Sequence, residues 1–380
     1  MNLLDVYPTL PIELIRGRGA LIFDKDEKEY LDFYGGHAVI SIGHSHPHYV
    51  KALNEQIEHI GFYSNAIKIP KQQELAEELG KISGYEAYNL FLCNSGAEAV
   101  ENALKIASFH NKKKKVIAFK GAFHGRTSGA VAITDSPRII TPFNDAHERV
   151  LLEHHDFDKI EKELKKGDVC AVIVEGIQGV AGIVDPGIEF FRFLKECCRK
   201  YDTILILDEI QSGYGRSGDF FAHQLAGIRP DLITVAKGMG NGFPMGGVLI
   251  TPDLKAFHGM LGTTFGGNYL ACVAGLAVLQ VIKKEHLIEN SKKIGQILIK
   301  GLREIPQIKA ISGRGLMLGL RFEFAISSLK NILLSRERIF VGTATDPHIL
   351  RLLPPLNLSR VQAEDFIKKL KKALVYFEHE

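Results

Sequence analysis

Short, continuously apolar runs alternate along the first two thirds of the chain with stretches whose apolar positions recur every three or four residues. Tyr88–Cys93, Lys115–Phe119, Cys170–Val174, Thr203–Leu207 and Leu232–Ala236 belong to the first kind. Runs of that length without polar interruption predict strands buried on both faces, as in a parallel sheet. Between them, Val50, Leu53, Ile57 and Ile60, then Leu75, Leu79 and Ile82, then Val100, Ala103, Leu104 and Ala107 each mark one face of a helix. A further helix opens at Asp185-Pro186, with Phe190, Leu194, Cys197, Cys198 and Tyr201 facing inward. Strand and helix in regular alternation predict an α/β doubly wound sheet. Gly246–Ile250 closes that part.

The ends of the chain read differently. Leu21–Phe23 and Tyr30–Phe33 flank the charged segment Asp24–Glu29, predicting a hairpin. Leu270–Ile282 is an almost wholly apolar helix, too short to span a membrane and so predicted to lie in a core or interface. Ala310–Phe324 reads as one strand interrupted by Gly313 and Gly315, and Leu350–Pro355 as an extended segment carrying Arg351. A final helix uses Phe366, Leu370, Leu374 and Phe377. With no internal repeat and no low-complexity linker, the expected domains share one compact body.

Composition narrows the function classes. At 380 residues, length predicts roughly two to three domains. The 47 basic and 44 acidic residues leave a net charge of +3, so no global field argues for nucleic acid or a membrane surface. Lys112–Lys115 is an isolated basic run between a helix and a strand, read as a solvated turn. The five cysteines form no CxxC pair, which argues against disulfides and a structural zinc. His44, His46 and His48 alternate around Pro47 without an accompanying acid cluster and read as a turn before a helix, so no metal is expected. The first residues lack a basic region followed by a long apolar stretch, and no run reaches membrane-spanning length. The expectation is a cytoplasmic protein.

Candidate chemistry concentrates at the ends of the apolar runs. Thr203–Leu207 delivers Asp208, Glu209, Ile210 and Gln211; Leu232–Ala236 delivers Lys237 and then the flexible, turn-rich Gly238–Pro244. Ligands on open α/β sheets bind beyond the carboxyl ends of strands, where Asp208 and Lys237 can converge. A lysine leaving an apolar strand is desolvated, which disfavours its charged form and suits it to Schiff-base chemistry. Pyridoxal 5′-phosphate (PLP) requires such a lysine and an acid for its ring nitrogen. Taken singly, each residue would read as a strand or helix cap. Ser95 and Glu98 fit a capping box, and the helix they open, with Gly96 and Ala97 in its first turn, can attract a phosphate. Phe123 can stack on a planar ring, and Arg126 can grip a carboxylate.

With these segments collected, the chain resembles the class III PLP-dependent aminotransferases nearly end to end. The resemblance is closest to the group acting on acetylornithine or succinylornithine. It rests on Asn94–Ala99, Phe123–Arg126, Glu175–Gly179, Asp208–Gln211, Lys237-Gly238 and Thr263–Asn268, in that order. The resemblance implies a fold type I transferase, with a large domain built on a mostly parallel seven-stranded sheet and a smaller α+β domain. Its boundaries would be 1–45 with the small domain, 46–255 for the large domain, and 256–380 for the interface helix and C-terminal small domain. It implies a homodimer with a shared active site, and transfer of the terminal amino group of an N-acylated ornithine to 2-oxoglutarate, in arginine biosynthesis. Ornithine, or another ω-amino acid such as 4-aminobutyrate, is the second donor it allows.

The resemblance also implies residue roles. Lys237 and Asp208 are the catalytic pair, Lys237 as the Schiff-base lysine and proton carrier. Ser95, Gly96, Ala97, Phe123, Glu209, Ile210 and Gln211 join them around the cofactor, and Thr264 of the neighbouring subunit completes the phosphate site. Arg126, Thr263 and Arg351 are the substrate-binding residues. Two positions depart from the family pattern: Gly176 stands where proline is usual, and Val180 where a glutamate usually pairs with the arginine corresponding to Arg351. Without that glutamate, Arg351 is expected to stay open, find another partner, or meet a substrate carboxylate, favouring acidic acyl groups such as succinyl. A nicotinamide-dependent oxidoreductase fits less well, because Gly238–Gly242 lacks GxGxxG spacing. A purely binding role would need neither Lys237 nor Asp208.

Overall fold

The computed structural model describes residues 1–378. Three strands come first: β1 (Leu14–Arg18), β2 (Leu21–Asp24) and β3 (Glu29–Phe33). The middle of the chain contributes β4 (Asn89–Cys93), β5 (Lys115–Phe119), β6 (Arg149–Leu152), β7 (Val169–Glu175), β8 (Ile204–Asp208), β9 (Leu232–Val235) and β10 (Gly246–Ile250). The last four are β11 (Ala310–Arg314), β12 (Met317–Arg321), β13 (Ile339–Thr343) and β14 (Ile349–Leu352).

They form two seven-stranded sheets. The first has the order β4-β10-β9-β8-β7-β5-β6, parallel except for β10, which runs antiparallel to both its neighbours. Residues 236–245 are too few for a crossover helix, so the chain leaving β9 can return only as an antiparallel strand. Every residue of β7 and β8 is buried. Ile204 and Ile206 pack with Val100, Ala103 and Ala107 of the helix Gly96–Asn111, and Leu205 and Leu207 with Phe190, Leu194 and Cys198 of the helix Ile188–Lys200. The strand pleat thus feeds two helical layers, which is why these strands carry no polar face.

The second sheet, β1-β2-β3-β13-β14-β12-β11, joins the two ends of the chain, with β3 and β13 parallel. Phe33 on β3 stacks on Phe366 of the C-terminal helix Arg360–Glu378, ring centroids 4.0 Å apart. The segment read as one strand, Ala310–Phe324, is instead the β11–β12 hairpin: Gly315 at φ 58° makes the turn, and Arg314 pairs with Met317. The helix expected from Asp185-Pro186 begins two residues later, after Gly187 at φ 83°, whose conformation no helix continues. The apolar helix Tyr269–Lys284 is buried along most of its length. Among the described residues, no helix is long and apolar enough to cross a membrane.

Since the Phe33–Phe366 stack ties the first strands to the last helix, Phe366→Ala should lower stability by about 3–5 kcal/mol. Urea unfolding followed by circular dichroism measures this as an earlier midpoint.

Candidate active site

β7, β8 and β9 are adjacent and parallel, with Glu175 paired in register with Asp208, and Asp208 with Thr234. Their carboxyl ends therefore bring Glu175, Asp208 and Lys237 to one rim. All three line a cavity of about 360 Å³, together with Ser95, Gly96, Ala97, Phe123, Ile210 and Gln211. A larger groove, about 1010 Å³, runs along 65–76, 88–92 and 261–266, but Lys68 is the one charged residue lining it. Its size does not compensate for the absence of converging chemistry.

Lys237 sits at φ 40°, a backbone region that side chains disfavour. The loop behind it, expected to be flexible, is clamped. Asn241 Oδ1 accepts from the N–H groups of Ser41 (2.8 Å) and Ile42 (3.0 Å), and its Nδ2 donates to Gly43 O (3.0 Å). Ser41 Oγ donates to Gly238 O (2.7 Å), and Tyr49 Oη to Gly240 O (2.7 Å). These partners lie some 200 residues away in sequence, so glycine content alone suggested a mobility that the tertiary contacts remove. Burial holds the Lys237 amine below the usual lysine range, against the opposing pull of Asp208 and Glu175. No side-chain hydrogen bond engages it among the described residues.

Asp208 is almost fully buried. Its Oδ2 accepts from His124 Nδ1 (2.7 Å) and its Oδ1 from Ile210 N (3.0 Å). A carboxylate accepts only, which places the His124 hydrogen on Nδ1 and leaves its buried Nε2 without a partner. Glu175 accepts from Phe123 N (2.9 Å) and Gly179 N (3.0 Å), and burial pushes its carboxyl above the usual range. His124 and Glu175 stand in segments conspicuous in the sequence, yet neither was among the expected site residues. The signal available was their place in a glycine-rich loop and at a strand end.

The opposite wall is the start of the helix Gly96–Asn111. Ser95 Oγ accepts from Glu98 N (3.2 Å), while Glu98 Oε2 accepts from Asn94 N (2.9 Å) rather than from Ser95 N. The capping box is therefore displaced by one residue on its return side. The N–H groups of Gly96 and Ala97, at the first two helical positions, have no intrahelical acceptor. A Cβ on Gly96 would stand 3.0 Å from Ile210, so glycine lets the helix start and the Ile210 side chain close together. Gln211 spans the cavity edge: its Nε2 donates to His37 O (3.3 Å), and its Oε1 is buried without a partner.

Glu209 is placed elsewhere. Its Oε1 accepts from His223 N (3.0 Å) and Nδ1 (2.7 Å), its Oε2 from Ser212 Oγ (2.6 Å), and Tyr85 Oη donates to His223 Nε2 (2.6 Å). That carboxylate is committed to a separate buried network behind the strand end. Arg126 and Thr264 are exposed and outside the cavity lining, and Thr263 Oγ1 accepts from Asn94 Nδ2 (3.2 Å) and Gly266 N (3.0 Å).

Arg351, on β14, is buried. Its Nε donates to Thr343 O, and its Nη1 is buried with no partner. Burial lowers its pKa, with Tyr34 and Glu175 acting in the other direction. Val180 contributes only its carbonyl oxygen, to Thr345 N (2.9 Å). Among the described residues, no carboxylate forms an ion pair with Arg351. His44 bonds Asp32, His46 bonds Glu285 and His48 bonds Gln280, three separate pairings in keeping with a turn before the helix Pro47–His59.

Comparison with known proteins identifies the family. The family described as "Aminotransferase class-III" matches residues 5–374. The acetylornithine aminotransferase of Archaeoglobus fulgidus is 38% identical over 374 residues, covering 97% of this chain and 96% of that one. Among solved structures, the ornithine aminotransferase of Toxoplasma gondii superposes with a TM-score of 0.92 at 28% identity, covering 99% of this chain and 93% of that one. The acetylornithine aminotransferase of Elizabethkingia anophelis gives a TM-score of 0.83 at 28% identity, with 98% and 96% covered. The chain belongs to the class III aminotransferases and is a PLP-dependent transaminase of fold type I.

Proposed function

We propose that this aminotransferase moves the terminal amino group of an N-acylated ornithine to 2-oxoglutarate, as a cytoplasmic enzyme serving arginine biosynthesis. The observation that carries the chemistry is the opening of Lys237 and Asp208 into one cavity from adjacent parallel strands. The likeness to acetylornithine aminotransferases over nearly the whole chain supports the donor. Ornithine itself is the second reading, supported by the superposition on the Toxoplasma ornithine aminotransferase.

The residues present fit the cofactor. A flat ring with a phosphate, an aldehyde and a basic nitrogen needs free N–H groups, an amine and an acid. The cavity offers the amides of Gly96 and Ala97, Lys237, and Asp208. Gln211 adds a buried oxygen without a protein partner, beside Phe123 and Ile210. When bound, PLP supplies an electron sink for the carbanion left when the donor loses a proton.

In this reading Ser95, Gly96 and Ala97 hold the phosphate with the positive end of their helix. Phe123 and Ile210 would hold the ring, and Gln211 would serve its hydroxyl. Asp208, braced by His124 and the Ile210 amide, would pair with the ring nitrogen. Glu209 supports that turn from behind through Ser212 and His223. Lys237 would hold the cofactor through its aldehyde carbon at rest, and once released its desolvated amine would be the group placed to take the proton from the donor carbon. The clamp on residues 238–241 fixes where that amine can reach, and orientation of this kind lowers barriers.

Arg126, Thr263 and Arg351 bind substrate. With no carboxylate of the described residues paired to Arg351, a buried guanidinium is left for a substrate acid, which favours acidic acyl groups such as succinyl. Thr264 reaches the phosphate of a second copy of the chain in a homodimer. Exposed Phe62 and Phe265 pack ring against ring, exposed Tyr63 and Ile67 follow Phe62 closely in sequence, and exposed apolar side chains of that kind suit burial against that copy.

Three outcomes are expected. Purified protein should be yellow, and Lys237→Ala should lose the colour of the lysine-bound cofactor and about 10²–10⁴-fold in kcat/KM. Succinylornithine should equal or exceed acetylornithine in kcat/KM; a clear preference for the acetyl compound would count against an open Arg351. In cofactor-free protein, Lys237→Met should raise the melting temperature at pH 7. Burial lowers the lysine's folded-state pKa, so the charged amine costs its full stability penalty below that value, and the cost fades as pH rises from it to the ordinary lysine range, above which it is gone. The advantage of the methionine should shrink along the same path.

A further inference from the structure

One carboxylate of the site has no part in the chemistry assigned above. Glu175 ends β7, is 6% exposed, and pairs in register with Asp208. It lines the same cavity as Phe123, Asp208 and Lys237. Both its oxygens are committed to backbone amides: Oε1 accepts from Phe123 N (2.9 Å) and Oε2 from Gly179 N (3.0 Å). Burial pushes the carboxyl above its usual range, so the fold holds an acid here at a cost.

The two amides belong to different loops. Phe123 stands in the loop that follows β5, and Gly179 in the turn that follows β7. Gln178, in that turn, adds a second tie, its Nε2 donating to Lys120 O (3.0 Å). His124 is fixed independently, its N donating to Thr134 Oγ1 (2.9 Å) and its Nδ1 to Asp208. Glu175 is therefore the side chain that sets the backbone of Phe123 itself. Glutamate suits the task, because a carboxylate accepts at both oxygens, whereas glutamine would turn an NH₂ toward one of the two N–H groups. Aspartate, a methylene shorter, withdraws its carboxylate from both.

We propose that Glu175 is a positioning residue for the cofactor, seating the Phe123 ring against bound PLP by holding the Phe123 amide. This rests on the placement of Phe123 beside the cofactor ring given above. An aromatic side chain strengthens binding of a planar ring only in a stacked or edge-on geometry. A loop free to shift at residue 123 forfeits that geometry while leaving Lys237 and Asp208 in place.

The test uses full-length protein stripped of cofactor and reconstituted. It reads the PLP concentration that restores half the yellow colour, together with the visible circular dichroism of the bound cofactor. Glu175→Gln should need about three- to tenfold more PLP, as loss of one hydrogen bond implies, and its visible dichroism should change. Phe123→Ala should also raise the requirement, and adding Glu175→Gln to it should raise it no further, since no ring is left to seat. Glu175→Asp, which keeps the acid but not its reach, should behave as glutamine does, and it takes over the same comparison if the glutamine variant does not fold. An unchanged PLP requirement in the Glu175 variants would overturn the proposal. So would an equal rise with and without the Phe123 ring, because the acid would then act through its charge or through general stability. If Phe123→Ala alone left the requirement unchanged, the placement of Phe123 against the cofactor would itself fall, and the role of Glu175 with it.

Discussion

Everything in the site depends on keeping one amine largely desolvated and, among the described residues, without a side-chain hydrogen bond. Folding ordinarily avoids that arrangement, because a buried cation without a close partner is costly. Here Asp208 and Glu175 lie near enough to oppose the desolvation of Lys237, yet each is engaged by other groups. The amine is held available, with its charge disfavoured and its position set by the clamp on the following loop.

The sheet makes this arrangement possible. Adjacent parallel strands end together, so in-register pairing carries Glu175, Asp208 and the approach to Lys237 to a common edge. Two helical layers exclude water from the strands below. Above them, the free N–H groups of a helix start supply positive potential without a charged side chain. The cavity thus joins a wall of free N–H groups and an acidic wall, and Lys237 lines it with them.

A second consequence of the architecture is that chain ends meet the chain's middle. Residues 35–43 emerge from the N-terminal strands, clamp the loop after Lys237 and receive a hydrogen bond from Gln211. Arg351 arrives from the C-terminal strands of the same sheet. In the proposed reading, Arg351 therefore reaches substrate from a sheet other than the one that delivers Asp208 and Lys237.

The parallel sheet was legible in its uninterrupted apolar runs, because strands covered on both faces can carry no polar alternation. Lys237 and Asp208 were legible too, since each is the first polar group after such a run. The β11–β12 hairpin was not: glycine marks an interruption, but only the partner strand shows whether the chain pauses or reverses. Nor was the fate of Glu209, adjacent to Asp208 yet drawn to His223 and Ser212, or the rigidity of a glycine-rich loop held by Asn241 and Ser41. Sequence by itself determined which side chains the strand ends deliver, because that follows from local periodicity. Which of them share a cavity, and which are turned away or clamped, was decided by contacts between residues as much as 200 positions apart, and local pattern carries no record of those.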